Sequence, residues 1–269
     1  MQAVRGADAL LIGAGAGMGV DSGLPDFRGA QGFWRAYPPY QRLGLDFVDL
    51  ANPRWFASDA ALAWGFYGHR LNLYRSTSPH DGFRILRSWA ERMKHGAFVF
   101  TSNVDGHFQR AGFSPERVCE VHGSIHWLQC LADCGQSPLP VETTAIHVDD
   151  ETMRGIPPFP SCPGCAGPAR PNILMFNDWD WHSDRTRAQK THLETWLSKI
   201  VGSRLVVIEC GAGTAIPTVR RFCEQVASYH LAPLIRINLR EPRVTEGHIG
   251  LAMGALEALR KLDGLLGKE

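Results

Sequence analysis

Hydrophobic positions along the chain fall in short unbroken runs: "ALLIG" (Ala9 to Gly13), "AFVFTSN" (Ala97 to Asn103), "NILMF" (Asn172 to Phe176), "RLVVIECG" (Arg204 to Gly211) and "PLIRIN" (Pro233 to Asn238). Runs that are apolar throughout, rather than alternating with polar residues, are the pattern of strands buried on both faces of a parallel sheet. Helical patterns separate them: "DAALAWGFYGHRLNLYRS" from Asp59, "THLETWLSKIVG" from Thr191, "PTVRRFCEQVASYH" with its opening proline at Pro217, and "EGHIGLAMGALEALRKLDG" near the C-terminus. Strand and helix in turn predict an α/β fold. Two stretches break the alternation: residues 31–78 are aromatic-rich and mostly helical, and residues 119–171 hold cysteine pairs among proline-rich loops such as "GIPPFPSCPGCAGPARP".

Composition narrows the function classes. A chain of 269 residues that is 44% hydrophobic can fill one large domain, or a large domain with a small partner. With 28 basic and 27 acidic residues the net charge is +1, which argues against a nucleic-acid surface or an anionic-membrane surface. No apolar stretch approaches the roughly 20 residues of a membrane span, and the N-terminal run is too short for a secretory signal. The expected location is cytoplasmic.

Four of the seven cysteines form two short hooks, Cys130-Leu-Ala-Asp-Cys134 and Cys162-Pro-Gly-Cys165, with 27 residues between them. Two such hooks can place four thiolates around one tetrahedral zinc ion, and four sulfur ligands leave no open position, so the metal is structural. The wider C-x3-C spacing leaves Asp133 or His126 open as an alternative ligand. Cys119, Cys210 and Cys223 lie in apolar or helical surroundings and are expected in the core.

A strand followed by Gly13, Gly15, Gly17 and Gly19 lets backbone amides approach a pyrophosphate closely. The same glycines could equally form a tight turn. Further along the chain stand "GAGMGVDSGLPDFRG" (Gly15 to Gly29), "TSNVDGHFQRAG" (Thr101 to Gly112), "VHGSIHWLQC" (Val121 to Cys130), the cysteine hooks, "RPNILMFND" (Arg170 to Asp178) and "INLREP" (Ile237 to Pro242). In order and approximate spacing this series resembles the sirtuins, the Sir2-like NAD-dependent protein deacylases, over nearly the whole chain.

The resemblance implies a Rossmann-like NAD-binding domain made of residues 1–30, 79–118 and 172–269. It also implies a helical module at 31–78 for the cofactor loop and acyl pocket, and a small zinc-binding module at 119–171. It assigns His122 as catalytic base and Asn103 as a second catalytic residue that holds the ribose. Gly15, Ala16, Gly17, Ser102, Asp105, Gly211 and Asn238 become cofactor contacts, Asp105 acting with Asp26 in the nicotinamide pocket. Phe27 and Arg28 belong to a loop closing over the nicotinamide ribose. The imidazole of His122 titrates near neutrality and suits proton acceptance from a ribose hydroxyl. The implied chemistry consumes NAD: an acyl-lysine carbonyl oxygen attacks the ribose carbon as nicotinamide leaves, and His122 then helps a ribose hydroxyl attack the bound acyl carbon. The partners are acyl-lysine proteins or peptides.

Tyr67 and Arg70, three residues apart on a helix, share a face and could both reach one carboxylate. In the sirtuin class that removes succinyl-type groups, a Tyr-x-x-Arg pair binds the distal carboxylate of the acyl chain, so an acidic acyl preference is expected here. Phe176 and Asn177 stand where the substrate peptide adds as a strand. The departures from the family pattern gather on that side: "FND" for Phe-Gly-Glu, a shorter "GAGTAIP", and a longer, tryptophan-rich "WDWHSDRTRAQKTHLETW" (Trp179 to Trp196). Gly19 replaces a usual serine and Ser102 a usual glutamine. They keep a second expectation open, an NAD glycohydrolase or ADP-ribosyltransferase.

Overall fold

The computed structural model describes residues 2–25, 29–141 and 145–267, without the side chains of residues 29–31. Its strands are β1 (Ala9–Ala14), β2 (Ala97–Thr101), β3 (Val118–Glu120), β4 (Gly123–Cys130), β5 (Leu139–Pro140), β6 (His147–Asp149), β7 (Arg154–Ile156), β8 (Ala169–Ile173), β9 (Leu205–Cys210), β10 (Leu234–Ile237) and β11 (Ile249–Leu251). Six of them form a wholly parallel sheet in the order β11-β10-β9-β1-β2-β3. Every residue of β1, β2 and β9 is buried, as unbroken apolar runs require.

Alternate side chains of β1 serve opposite cores. Leu10 and Ile12 pack with Phe83, Leu86, Trp89 and Leu259, while Ala9 and Leu11 join Leu193, Trp196 and Val219. The helices, in chain order, are α1 (Gln2–Arg5), α2 (Gly17–Val20), α3 (Gly29–Ala36), α4 (Pro38–Arg42), α5 (Phe47–Leu50), α6 (Arg54–Ser58), α7 (Ala60–Ser76), α8 (Asp81–Glu91), α9 (His107–Arg110), α10 (Asp184–Lys199), α11 (Thr218–Tyr229) and α12 (Ala255–Leu266). Thus α8 and α12 cover one sheet face and α10 and α11 the other. An ion pair sits inside this sheet: Glu209 of β9 lies in register with Arg236 of β10, and Arg236 Nε and Nη2 donate to its carboxylate at 2.6 and 2.9 Å. A bidentate pair satisfies both groups where neither meets water.

The run Asn172 to Phe176 departs from its predicted role as a parallel strand. Its first residues end β8, which pairs antiparallel with β4 in a three-stranded sheet, β5-β4-β8. An apolar run signals burial on both faces but not which sheet buries it. The C-terminal helical pattern likewise divides into β11 and α12, and α10 begins seven residues before the predicted start at Thr191.

Helices α3 to α7 share a core with the small sheet, in which Phe33, Tyr37, Tyr40, Phe66 and Tyr67 meet Ile125, Ile173 and Met175. The β6–β7 hairpin lies directly against α7 because that helix carries Gly65 and Gly68. A Cβ at Gly65 would strike the Met153 carbonyl and lie 2.9 Å from Arg154 Cα, and one at Gly68 would strike Ile146. No helix among the described residues is long and apolar enough to cross a membrane.

Candidate active site

The chain leaves β1 toward β2 and β3 on one side of the sheet, while β9 and β10 lie on the other, so the strand order reverses at β1. Crevices at the carboxyl ends of strands around such a reversal are where open α/β sheets bind ligands. The loops there are tied backbone to backbone. Gly15 N–H donates to Cys210 O and Gly17 N–H to Gly211 O, both at 3.0 Å. A Cβ on Gly15 would lie 2.7 Å from Ala212 Cα, and Gly211 has φ +65°, so glycine is required on both sides of the seam. Ala16 is exposed and Gly17 half-buried above it. A crest of bare backbone at this point fits the pyrophosphate of a dinucleotide.

The β2 end is joined to the same crest. Thr101 Oγ1 donates to Ala14 O, Asn103 N–H to Thr101 Oγ1, and Asn103 Nδ2 to Gly15 O, each at 3.0 Å. Asn103 and Ser102 are half-buried at the rim, whereas Asp105 is buried and its Oδ1 accepts the His107 N–H at 2.9 Å. Asn238 is buried too: its Nδ2 donates to Ala212 O at 2.8 Å and its Oδ1 accepts the N–H groups of Arg240 and Glu241. It therefore shapes the loop after β10. Residues not anticipated from the motifs complete the seam: Arg220 Nε donates to Ala212 O at 3.0 Å, and Thr214 N–H donates to Glu241 Oε2 at 3.1 Å. Their polar character was visible in the sequence, but the groups they meet, 8 and 27 positions away, were not. Asp26, Phe27 and Arg28 lie outside the described residues.

His122 stands between the parallel sheet and the small one. Val121 N–H donates to Thr101 O at 2.9 Å, and His122 O accepts the Leu174 N–H at 3.0 Å. Burial pulls its imidazole below the usual histidine value, the Lys190 ammonium adds to that shift, and a hydrogen bond to the Ser102 backbone opposes it. The result is a half-buried, neutral base beside the β2 loop, able to accept a proton.

Tyr67 and Arg70 lie on α7, both buried. The Arg70 guanidinium carbon is 5.5 Å from the Tyr67 ring centre and 5.1 Å from that of Phe66, and Arg70 Nε and Nη2 donate to the Tyr74 hydroxyl at 3.1 and 3.0 Å. The Tyr67 hydroxyl is buried with no hydrogen-bond partner among the described residues. A bare phenol beside an enclosed guanidinium is a site that a carboxylate would satisfy.

Phe176 and Asn177 border the same region. Phe176 N–H donates to Ala51 O at 2.9 Å, and its ring meets Phe47 edge-on with centres 6.4 Å apart. Asn177 is exposed with φ +56°, a conformation asparagine tolerates better than most side chains. The loop is pinned underneath by Asp178, whose carboxylate is held by Arg170 at 2.7 and 2.8 Å and also accepts the Met175 N–H at 3.2 Å. Both side chains of that pair are buried.

At the far end of β4 the sulfur atoms of Cys130, Cys134, Cys162 and Cys165 all lie within 4.8 Å of one another, with Cys130–Cys165 at 3.7 Å and Cys134–Cys162 at 3.6 Å. Tetrahedral zinc with bonds of about 2.3 Å separates its sulfurs by about 3.8 Å, so the four thiols fit the ion. Neither alternative ligand takes part: Asp133 pairs with His182 at 3.0 Å, and His126 Nε2 meets Asp105 O at 2.9 Å. Cys119, Cys210 and Cys223 are fully buried, and burial pushes the Cys119 thiol up to about 12.

Comparisons with known proteins place the chain in a family. A family model described as the Sir2 family matches residues 15–208. An NAD-dependent protein deacylase of Aquifex aeolicus is 28% identical over 232 residues, covering 86% of this chain and 84% of its own. NAD-dependent protein deacylase 1 of Pseudomonas aeruginosa is 35% identical over 179 residues, covering 66% of each chain. Among solved structures, a Sir2 homologue in complex with NAD superposes with a TM-score of 0.73 at 24% identity, over 99% of this chain and 92% of its own. A Sir2 enzyme bound to a propionylated peptide gives a TM-score of 0.67 at 18% identity, over 100% of this chain and 97% of its own. With a matched segment that runs over more than half of the chain and takes in all four clustered cysteines, the chain belongs to the Sir2 family.

Proposed function

We propose that the protein is an NAD-dependent protein-lysine deacylase that transfers the acyl group of a lysine side chain to ADP-ribose, releasing nicotinamide, and that it favours acidic acyl groups. The observation that carries the first part is the meeting of the β1–β9 glycine seam, Asn103 and the neutral His122 at one strand end. The seam would hold NAD at its pyrophosphate, with Gly15, Ala16, Gly17 and Gly211 as backbone contacts and Asp26, Phe27 and Arg28 closing over the nicotinamide side. Asn103 and Ser102 would face the ribose, and His122 would take a proton from a ribose hydroxyl as that oxygen attacks the acyl carbon. One water is consumed overall; acyl-lysine and NAD give lysine, nicotinamide and O-acyl-ADP-ribose. The relatives named as deacylases support this reading; in it the substrate peptide would add along Phe176 and Asn177.

The acidic preference rests on the unpartnered Tyr67 hydroxyl beside Arg70. A carboxylate reaching both would gain a charge-assisted hydrogen bond, about 1.5–3 kcal/mol. Mass spectrometry of products from NAD with acetyl- or succinyl-lysine peptide, beside a tube without peptide, tests both parts. Peptide-dependent O-acyl-ADP-ribose is expected, and His122→Ala should abolish it while NAD still binds. Arg70→Met should lower succinyl turnover about 10- to 100-fold and acetyl turnover little. Nicotinamide and free ADP-ribose formed equally without peptide would assign the chain to NAD hydrolysis or ADP-ribosyl transfer instead.

A further inference from the structure

The residue two positions before His122 is gripped from three directions by one helix. Glu120 ends β3 with 1% of its surface exposed. Its backbone N–H donates to Gln189 Oε1 at 3.0 Å, and its carbonyl accepts the Thr186 hydroxyl at 3.0 Å. Its carboxylate is paired with Arg185 and accepts Gln189 Nε2 at 3.4 Å. Arg185, Thr186 and Gln189 lie on one face of α10, and Thr186 and Gln189 are themselves buried. The Arg185 guanidinium also lies 4.8 Å from the centre of the Trp127 ring on β4, so it spans the strands on either side of His122. This is the segment that is longer than the family pattern requires, and nothing in the NAD crevice or the acyl pocket uses these three side chains.

A short edge strand needs such support. Among the described residues β3 pairs on one side only, through Val118, Cys119 and Glu120 to β2, and the chain then leaves the sheet at His122. Without a second anchor, the peptide carrying the imidazole would be held chiefly by the Val121 N–H to Thr101 O bond and the contact to Leu174. Saturating both backbone groups and the carboxylate of Glu120 removes that freedom, and misplacement of a catalytic group by a fraction of a bond length costs rate.

We propose that Glu120, clamped by Arg185, Thr186 and Gln189 of α10, is the positioning residue for His122, so that α10 sets the efficiency of the proton-transfer step and not of cofactor binding. The proposal rests on the assignment of His122 as base. Its test separates the two chemical steps. Nicotinamide release, followed by exchange of labelled nicotinamide into NAD in the presence of acyl-peptide, precedes the action of His122; formation of O-acyl-ADP-ribose follows it.

Thr186→Val keeps shape and loses one hydrogen bond, and Gln189→Leu loses two. Each should slow O-acyl-ADP-ribose formation about fivefold or more, with the exchange rate and KM for NAD within about twofold of the parent. Glu120→Gln retains an acceptor for Arg185 and should slow the same step less than Glu120→Ala. Parallel loss of exchange and transfer would show a general structural role and overturn the proposal. So would unchanged transfer in variants whose thermal melts confirm that they are folded. His122→Ala is the control: full transfer in that variant would overturn the assignment of the base itself, and the clamp with it, whereas lost transfer there beside unaffected clamp variants would reject the clamp alone.

Discussion

At the scale of single residues, burial decides what each polar group can do. The Tyr67 hydroxyl is enclosed without a partner among the described residues, which costs about 1–3 kcal/mol of stability relative to a satisfied group. Tyr67→Phe should therefore raise stability in a urea melt, by about 1 kcal/mol, while lowering succinyl-peptide turnover; lower stability would mean that the phenol is satisfied in the native state. His122 carries a second consequence. Its pKa is depressed by burial and by Lys190, so the neutral, proton-accepting form persists below the usual histidine value and is lost only as pH falls through the depressed one. Lys190→Met removes one cause and should move the acid limb of the transfer-rate profile to higher pH, measured from pH about 5 to about 8. The three-residue spacing of Tyr67 and Arg70 was legible as a shared helix face. That both side chains are buried among aromatic rings was not, because α7 is buried on nearly all sides and offers no polar stripe to mark an outside.

At the scale of elements, close approach of backbones sets the geometry around α7. The glycines of α7 would each be expected to weaken the helix by about 1 kcal/mol relative to alanine. Here they make room for the β6–β7 hairpin. Gly65→Ala places a methyl group against the Met153 carbonyl and Arg154 Cα, an overpacking worth about 1–3 kcal/mol that outweighs the helix preference. The variant should melt earlier, and should lose acidic-acyl turnover if α7 shifts to relieve the clash; a stabilised protein would show that the hairpin yields freely. The element types on the main sheet were legible where runs were long enough, as in β1, β2, β9 and β10. β3 and β11, with three residues each, were not, since so short a segment has no period and owes its strand form to pairing with a neighbour. The Asn172 to Phe176 run shows the same limit from the other direction. Its burial was legible, but its partner β4 lies more than 40 positions away in sequence.

At the scale of the whole molecule, the zinc hooks, the helical module and the parallel sheet are mechanically connected. Ile125 and Ile173 of the small sheet share a core with Tyr67, and β4 begins one residue after His122. Removing zinc should therefore reach beyond the metal site. A strong chelator, or Cys134→Ser, is expected to release one zinc per chain and to lower the main thermal transition, with loss of transfer activity; a separate low-temperature transition that leaves activity intact would mean that the module melts alone. What the sequence by itself determined is what local chemistry controls: the α/β alternation from apolar periodicity, the glycine seam from the need for backbone without Cβ, and the metal hooks from thiol spacing. What only the tertiary structure decided is which polar groups satisfy one another. The Glu209–Arg236 pair inside the sheet, the Arg170–Asp178 pair beneath the loop at Phe176 and Asn177, the hold of α10 on Glu120 and the Tyr67 phenol, without a partner among the described residues, all follow from how elements pack. In each, the cost of burying a charge or a hydroxyl is met or left unmet by the surrounding packing, much of it supplied by segments distant in the chain, and local pattern carries no record of that distance.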